Sequence, residues 1–322
     1  MSRRVKIALF LGFLSLIALV LVIILVIVLL PSPPKSPSPG PGGGSTSPFT
    51  ERPQAQPADC PDVLVLSVPG TWESKASDDP YNPTANRKSL MLRVTSELQQ
   101  RFDRSRAEVY TVPYVAQFRN PTVLTDRQRT YDDSRAQGLK RARAKVRKTN
   151  EHCPLTTYVL MGFSQGAVIV GDLASDLGNG RGPLSAQDQD LVLGVGLIAD
   201  GRRRSGEQHD LGSPAGVGAE ISLGGIGSLV GGITMTGSRT GGFGELEDRT
   251  YSICAGGDLI CRAPTVNNPL TAVSELLGAI NNPVHAMYAT TKYWSRNGAS
   301  ATEWMYGWAA DLIENAPHPA HS

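Results

Sequence analysis

Net charge is nearly absent from this chain: 31 Lys and Arg against 29 Asp and Glu leave +2 over 322 residues. That is too little for nucleic acid to be the main partner. Cysteine and histidine are scarce, with 4 and 5 copies, and neither a C-x-x-C nor a paired-histidine spacing occurs. A zinc ribbon or finger is thereby excluded, and no metal or cofactor is expected. No internal repeat is visible. Gly225-Ile-Gly227-Ser-Leu-Val-Gly231 resembles a dinucleotide loop, but it lacks the strand–turn–helix setting and a convincing acid about twenty residues later. Nucleotide binding is not expected.

Charge is missing altogether from Ile7 to Leu30. At ~1.5 Å per residue these roughly 24 residues make a helix of about 36 Å, enough to cross a hydrocarbon core of about 30 Å with some tilt. Arg3, Arg4 and Lys6 precede the run, so the positive-inside rule keeps the N-terminus cytoplasmic and sends the rest outside. The competing reading is a cleaved secretory signal, but the run is long for one and Leu29-Leu30-Pro31-Ser32 offers no A-x-A site. Residues 1–30 are expected to form a cytoplasmic stub and single-pass anchor. Residues 31–57, rich in Pro, Gly and Ser, read as a linker. Either way the domain is exported, where thiols oxidise. Four cysteines allow three pairings, and the closeness of Cys254 to Cys261 suggests a short loop that leaves Cys60 for Cys153.

From Cys60 onward strands alternate with helices. Val63 to Val68 is an apolar run ending at Pro69-Gly70, as a buried parallel strand would. Ala107–Val112, Tyr158–Met161, Leu191–Ile198 and Thr250–Cys254 read as further strands. Ser89–Arg104, Ser134–Lys148, Gln165–Leu177 and Thr302–Glu314 read as helices. The fold class is α/β: a three-layer sandwich with a mostly parallel central sheet over 58–315, followed by a polar tail, 316–322. Within it, 205–247 is a glycine-rich insertion too long for an ordinary connection. It reads as a mobile flap beside an acyl groove, or as a surface excursion packed on itself. The basic segment Lys140 to Lys148 reads as a solvated helix face, with anionic headgroups as the less favoured partner.

Gly162-Phe163-Ser164-Gln165-Gly166 matches G-x-S-x-G between a strand and a helix, the setting of a nucleophile elbow. Ser164 is the candidate nucleophile. Among the histidines, His285 alone sits on a turn-rich loop after the last strand, and is the candidate base. Asp258, in the loop Cys254 to Cys261, is the candidate acid that orients it, with Asp200 as competitor. The oxyanion hole would use the N–H of Gln165 and the N–H, with the hydroxyl, of Thr71.

These motifs resemble the cutinase family of α/β-hydrolases, most of all its membrane-anchored branch of cell-envelope lipases in mycolate-producing actinobacteria. The resemblance runs over about Cys60 to Glu314. It rests on Cys153-Pro154, Gly162-Phe-Ser-Gln-Gly-Ala167, the Cys254–Cys261 strap around Gly257-Asp258, and Pro283-Val-His285-Ala-Met-Tyr288. It implies the disulfides Cys60–Cys153 and Cys254–Cys261, the triad Ser164, Asp258 and His285, and Thr71 in the oxyanion hole. It further implies a serine esterase acting on long-chain acyl lipids through an acyl-enzyme, with lipase, phospholipase A or thioesterase character. The long insertion and the N-terminal anchor depart from compact secreted cutinases. Acyl transfer by the same three residues is the alternative, and a non-catalytic envelope-binding module is another. A monomer is expected, meeting the membrane through its N-terminal helix, with the catalytic domain in the periplasm or cell envelope.

Overall fold

The structure, a computed structural model, describes residues 52–121, 123–224, 231–264, 278 and 282–322. The expected anchor and most of the expected linker lie outside the described residues. Among the described residues no helix is long and apolar enough to cross a membrane.

Six strands form one wholly parallel sheet: β2 (Val63–Val68), β3 (Ala107–Thr111), β4 (Thr157–Phe163), β5 (Val192–Ile198), β6 (His209–Leu211) and β7 (Thr250–Ile253), in the order β3-β2-β4-β5-β7-β6. The continuous apolar runs of β2 and β4 follow from burial on both faces. Side chains alternate between two cores. Val63, Val65, Val159, Met161 and Phe163 point to one core, and Leu64, Leu66, Val68, Tyr158 and Leu160 to the other. The first core is capped by helices α1 (Leu92–Arg101) and α4 (Ala301–Asn315) through Val94, Leu98, Met305 and Ala309. The second is capped by α2 (Tyr131–His152) and α3 (Gln165–Gly178) through Val146, Ile169 and Leu173.

The element boundaries differ from the sequence reading where local chemistry overrides periodicity. The helix expected from Ser89 starts at Leu92, because Ser89 and Leu90 are held in a turn by the Glu73 carboxylate. The helix expected from Ser134 starts at Tyr131, because Thr130 caps it by accepting from the Asp133 N–H. It also runs on to His152.

Two expectations are corrected. The sequence reading ends the linker at 57 and begins a polar tail at 316, yet β1 (Ala55–Gln56) pairs in parallel with β8 (Ala320–His321). Arg52 is also tied to Asp188 and Asp190. A two-residue strand leaves no mark on composition, so polar and proline-rich ends hid the pairing.

The insertion is likewise built into the body where it is described. It contributes β6 at the sheet edge, and its Arg239 is buried in the interior. The Arg239 guanidinium bonds both oxygens of Asp200 at 2.6 and 3.0 Å and Asp172 at 3.0 Å. Arg202 and Arg135 also bond Asp172, at 2.7 and 2.6 Å. Arg135 reaches Glu220 of the insertion at 2.9 Å. Three arginines thus balance three buried carboxylates. Asp200, the competing acid, is committed to this cluster.

Candidate active site

The site forms at the carboxyl ends of β2, β4 and β7, the usual crevice of a parallel sheet. At the end of β4 the chain reverses into α3 through Ser164, whose backbone sits at φ 56°, ψ −122°. A non-glycine residue there is strained, and the turn has to be enforced from outside. The Ser164 N–H donates to Ile198 O at 2.9 Å, and the Ser164 carbonyl accepts from the Val168 N–H at 3.0 Å. The two flanking glycines are steric requirements. A Cβ on Gly166 would stand 2.1 Å from Val68 O, and one on Gly162 would stand 2.4 Å from Gly166 O. The helix therefore starts right against β2, leaving Ser164 Oγ at its positive end.

His285 reaches this serine across 121 residues of sequence: Nε2 lies 2.8 Å from Ser164 Oγ. Its Nδ1 lies 2.9 and 3.1 Å from the two Asp258 oxygens. The imidazole stacks on Phe163, with ring centroids 5.0 Å apart. Asp258 is fully buried. Its carboxylate also accepts from Tyr288 Oη at 2.6 Å and the Ile260 N–H at 2.9 Å. Burial alone pushes this carboxyl up, but the His285 charge and the hydrogen bonds from His285, Tyr288 and Ile260 outweigh it and hold it below its ordinary value. The same burial, with Asp258 beside it, pushes the Tyr288 phenol well up, so Tyr288 remains a donor. A carboxylate accepting at Nδ1 leaves the Nε2 lone pair facing the hydroxyl, the tautomer needed to receive its proton.

Both disulfides are present. Cys254–Cys261 closes the loop that carries Asp258, and Cys60–Cys153 ties the start of the domain to the segment before β4. Cys60, Cys153 and His152 also cluster in space. With both sulfurs in a disulfide the cluster has no thiolate to offer a metal, and His152 instead meets Asp59.

The two expected oxyanion donors flank Ser164 in a cavity of about 540 Å³. Gln165 opens α3, where first-turn N–H groups have no helical acceptor. Its side chain is fixed, accepting from Ser134 Oγ at 2.8 Å and donating to Gln117 O at 3.3 Å. Thr71 lies in a tight turn closed by the Glu73 N–H on Gly70 O at 3.1 Å. The Trp72 N–H donates to Ala116 O at 2.5 Å, with Trp72 at φ 63°.

Sequence reasoning missed Glu73 as a functional residue. Its carboxylate accepts from the Gly70 N–H at 3.0 Å, Ser89 Oγ at 3.1 Å and the Leu90 N–H at 2.6 Å. It locks the Thr71 turn to the loop before α1. Burial pushes its carboxyl up despite those donors. The role of Tyr288 was missed as well; its place three residues after His285 was the available signal.

The family model described as Cutinase matches residues 81–297. The chain belongs to the cutinase family. As a cutinase it is a serine carboxylic-ester hydrolase, and the α/β-hydrolase fold anticipated from the motifs is the family's. A protein of Corynebacterium glutamicum described as a carboxylesterase Culp6 homolog is 44% identical over 272 residues, covering 83% of this chain and 85% of that protein. Among solved structures, the catalytic core of acetyl xylan esterase from Trichoderma reesei aligns at TM-score 0.46 and 19% identity, over 80% of this cutinase and 100% of that chain. A cutinase-like protein from Cryptococcus sp. aligns at TM-score 0.45 and 17% identity, over 83% and 100%.

Proposed function

We propose that Ser164, His285 and Asp258 hydrolyse acyl lipids of the cell envelope through an acyl-enzyme. The observation that carries this reading is the unbroken hydrogen-bond relay from Ser164 Oγ to Asp258 beside a largely apolar cavity. As Oγ attacks the acyl carbonyl, His285 Nε2 takes its proton and the carbonyl oxygen becomes an oxyanion facing Thr71 and Gln165. The C–O bond to the alcohol then breaks, and His285 returns the proton to the departing oxygen. Water repeats the sequence on the acyl-serine, releasing the fatty acid. Asp258 stays ionised and stabilises the imidazolium in both halves.

A long acyl chain suits the apolar walls given by Phe118, Val168, Met235 and Ile260. At the surface Trp72 is 51% exposed, and its Nε1–H donates to Gln128 in the loop that presents the fully exposed Leu124. Apolar groups placed outward in this way favour a lipid phase over water. The uncharged run from Ile7 to Leu30 supports a tether that keeps the domain on the outer side of a membrane. Labelling with an alkyl fluorophosphonate tests the chemistry. Wild type should incorporate one label and Ser164→Ala none, and equal incorporation would remove Ser164 as nucleophile.

A further inference from the structure

Gly162 and Gly166 are forced on the elbow, because a Cβ on either would strike backbone. Gly201 lines the cavity beside them without any such need. Its φ lies outside the left-handed region, so the backbone does not call for glycine. The three atoms nearest to a Cβ built there all belong to side chains. They are Val168 Cγ2 at 3.3 Å, and Glu220 Cγ and Ile260 Cγ2 at 3.8 Å. Each of these residues lines the cavity as well. The side chain that Gly201 lacks is therefore room within the cavity.

The backbone around this room is held fast. Gly201 follows β5 and lies between two committed neighbours. Asp200 is gripped by Arg239, and Arg202 donates to Asp172 at 2.7 Å. Arg202 also donates to the carbonyls of Gly237 and Ser238, at 2.8 and 2.9 Å. The Gly201 carbonyl itself accepts from the Glu220 N–H at 2.9 Å. The surroundings are apolar in spite of Glu220. Its carboxylate is taken by Arg135, Tyr131 and Thr236, which leaves its Cγ methylene beside Gly201. Val168, Gly201 and Glu220 are buried, whereas Trp72, Lys88 and Arg93, lining the same cavity, are exposed. The space over Gly201 is thus withdrawn from water.

Resting on the reading that Ser164 takes up the acyl group of a lipid, we propose that the acyl chain runs across Gly201. The absent side chain then sets how long a chain the enzyme accepts. Val168 stands one turn along the helix from Ser164, whose carbonyl accepts the Val168 N–H at 3.0 Å. A turn advances about 5.4 Å, so a butanoyl group ends near Val168 and a decanoyl group extends past it. The acyl group also stays on Ser164 through both half-reactions, while the alcohol departs to water. Dry, apolar room suits the half that stays. A leucine at position 201 would fill it.

The probes are p-nitrophenyl butanoate and p-nitrophenyl decanoate, both kept monomeric. The measured quantity is the ratio of kcat/KM for the longer over the shorter acyl chain. In a hydrophobic pocket one methylene more or less changes kcat/KM by about 10–200-fold. The ratio should therefore fall at least about tenfold in Gly201→Leu. It should fall by less in Gly201→Ala, whose single methyl asks only a small shift of Val168 and so guards against misfolding. The ratio for decyl over ethyl butanoate, which lengthens the alcohol instead, keeps its wild-type value in both variants. An acyl ratio unmoved in both, or an alcohol ratio that falls in its place, overturns the assignment of Gly201. Failure of the underlying chemistry has a different signature: Ser164→Ala would go on cleaving all four esters, overturning the acyl pocket together with the nucleophile.

Discussion

At Tyr288 one hydroxyl serves two buried partners, donating to Asp258 Oδ2 at 2.6 Å and accepting the Ala255 N–H at 3.0 Å. Tyr288→Phe removes the donor and strands the amide, a loss of about 1–2 kcal/mol. Asp258 then holds the imidazole less firmly, so kcat is expected to fall about tenfold with KM little changed, a pattern that steady-state kinetics separates from loss of binding. Tyr288 acts here as a positioning residue. The pH profile tells this from a purely structural defect. The folded-state value for Asp258 lies below its unfolded value of about 3.9, so its stabilisation is complete above that pH and disappears as pH falls through the folded value. Losing the Tyr288 bond moves the folded value upward. The acid limb of thermal stability in Tyr288→Phe, read as melting temperature against pH, should therefore begin at higher pH than in wild type. An unmoved limb would assign Tyr288 to packing alone.

Elements rather than single groups decide which disulfide matters for chemistry. In the chain-entropy model the short Cys254–Cys261 ring contributes about 2.5 kcal/mol and the long Cys60–Cys153 ring about 4.7 kcal/mol. Only the short ring encloses Asp258. Replacing Cys60 and Cys153 by Ser should lower the melting temperature while sparing kcat of the folded enzyme. Replacing Cys254 and Cys261 by Ser should lower the melting temperature less but turnover more, with both measured on the same samples. The insertion yields a sharper case. Arg239→Met leaves Asp200 and Asp172 short of a buried partner, at a cost of about 3–5 kcal/mol, and thermal unfolding should register it as a large downward shift. This dependence was not legible in the sequence. Arg239 and its partners are scattered along the chain, with neither period nor motif to link them, and β6 is three residues long. The elbow was legible because its strand, serine and helix are consecutive. Asp258 and His285 were legible through chain order and the cysteine strap. Glu73 was not, since a lone carboxylate in a loop looks like any solvated acid until Ser89 and Leu90 are brought to it.

For the folded domain as a whole, the two ends of the described chain are held together by β1 and β8 and by Asp62 beneath them. Asp62 bonds Arg106 at 2.8 Å, His318 Nδ1 at 3.1 Å and His321 Nε2 at 3.0 Å. Arg106 in turn donates to the carbonyls of Ala316 and Pro317, at 2.8 and 3.0 Å, so the C-terminal segment lies over a fixed cation. The bond to Asp62 raises the His321 value above its ordinary one. A raised folded value gives stability that is full below the unfolded value of about 6.5 and vanishes as pH climbs through the folded one. Solvent reaches this imidazole, so the contribution stays below about 1 kcal/mol, or about 2 °C in melting temperature for a domain of this size. His321→Asn should therefore melt slightly below wild type at about pH 5.5 and together with it at about pH 8.5. A gap that persists at the alkaline end would mean that the uncharged imidazole, through its contacts with Pro57 O and Asp62, and not the imidazolium, holds the C-terminal segment in place.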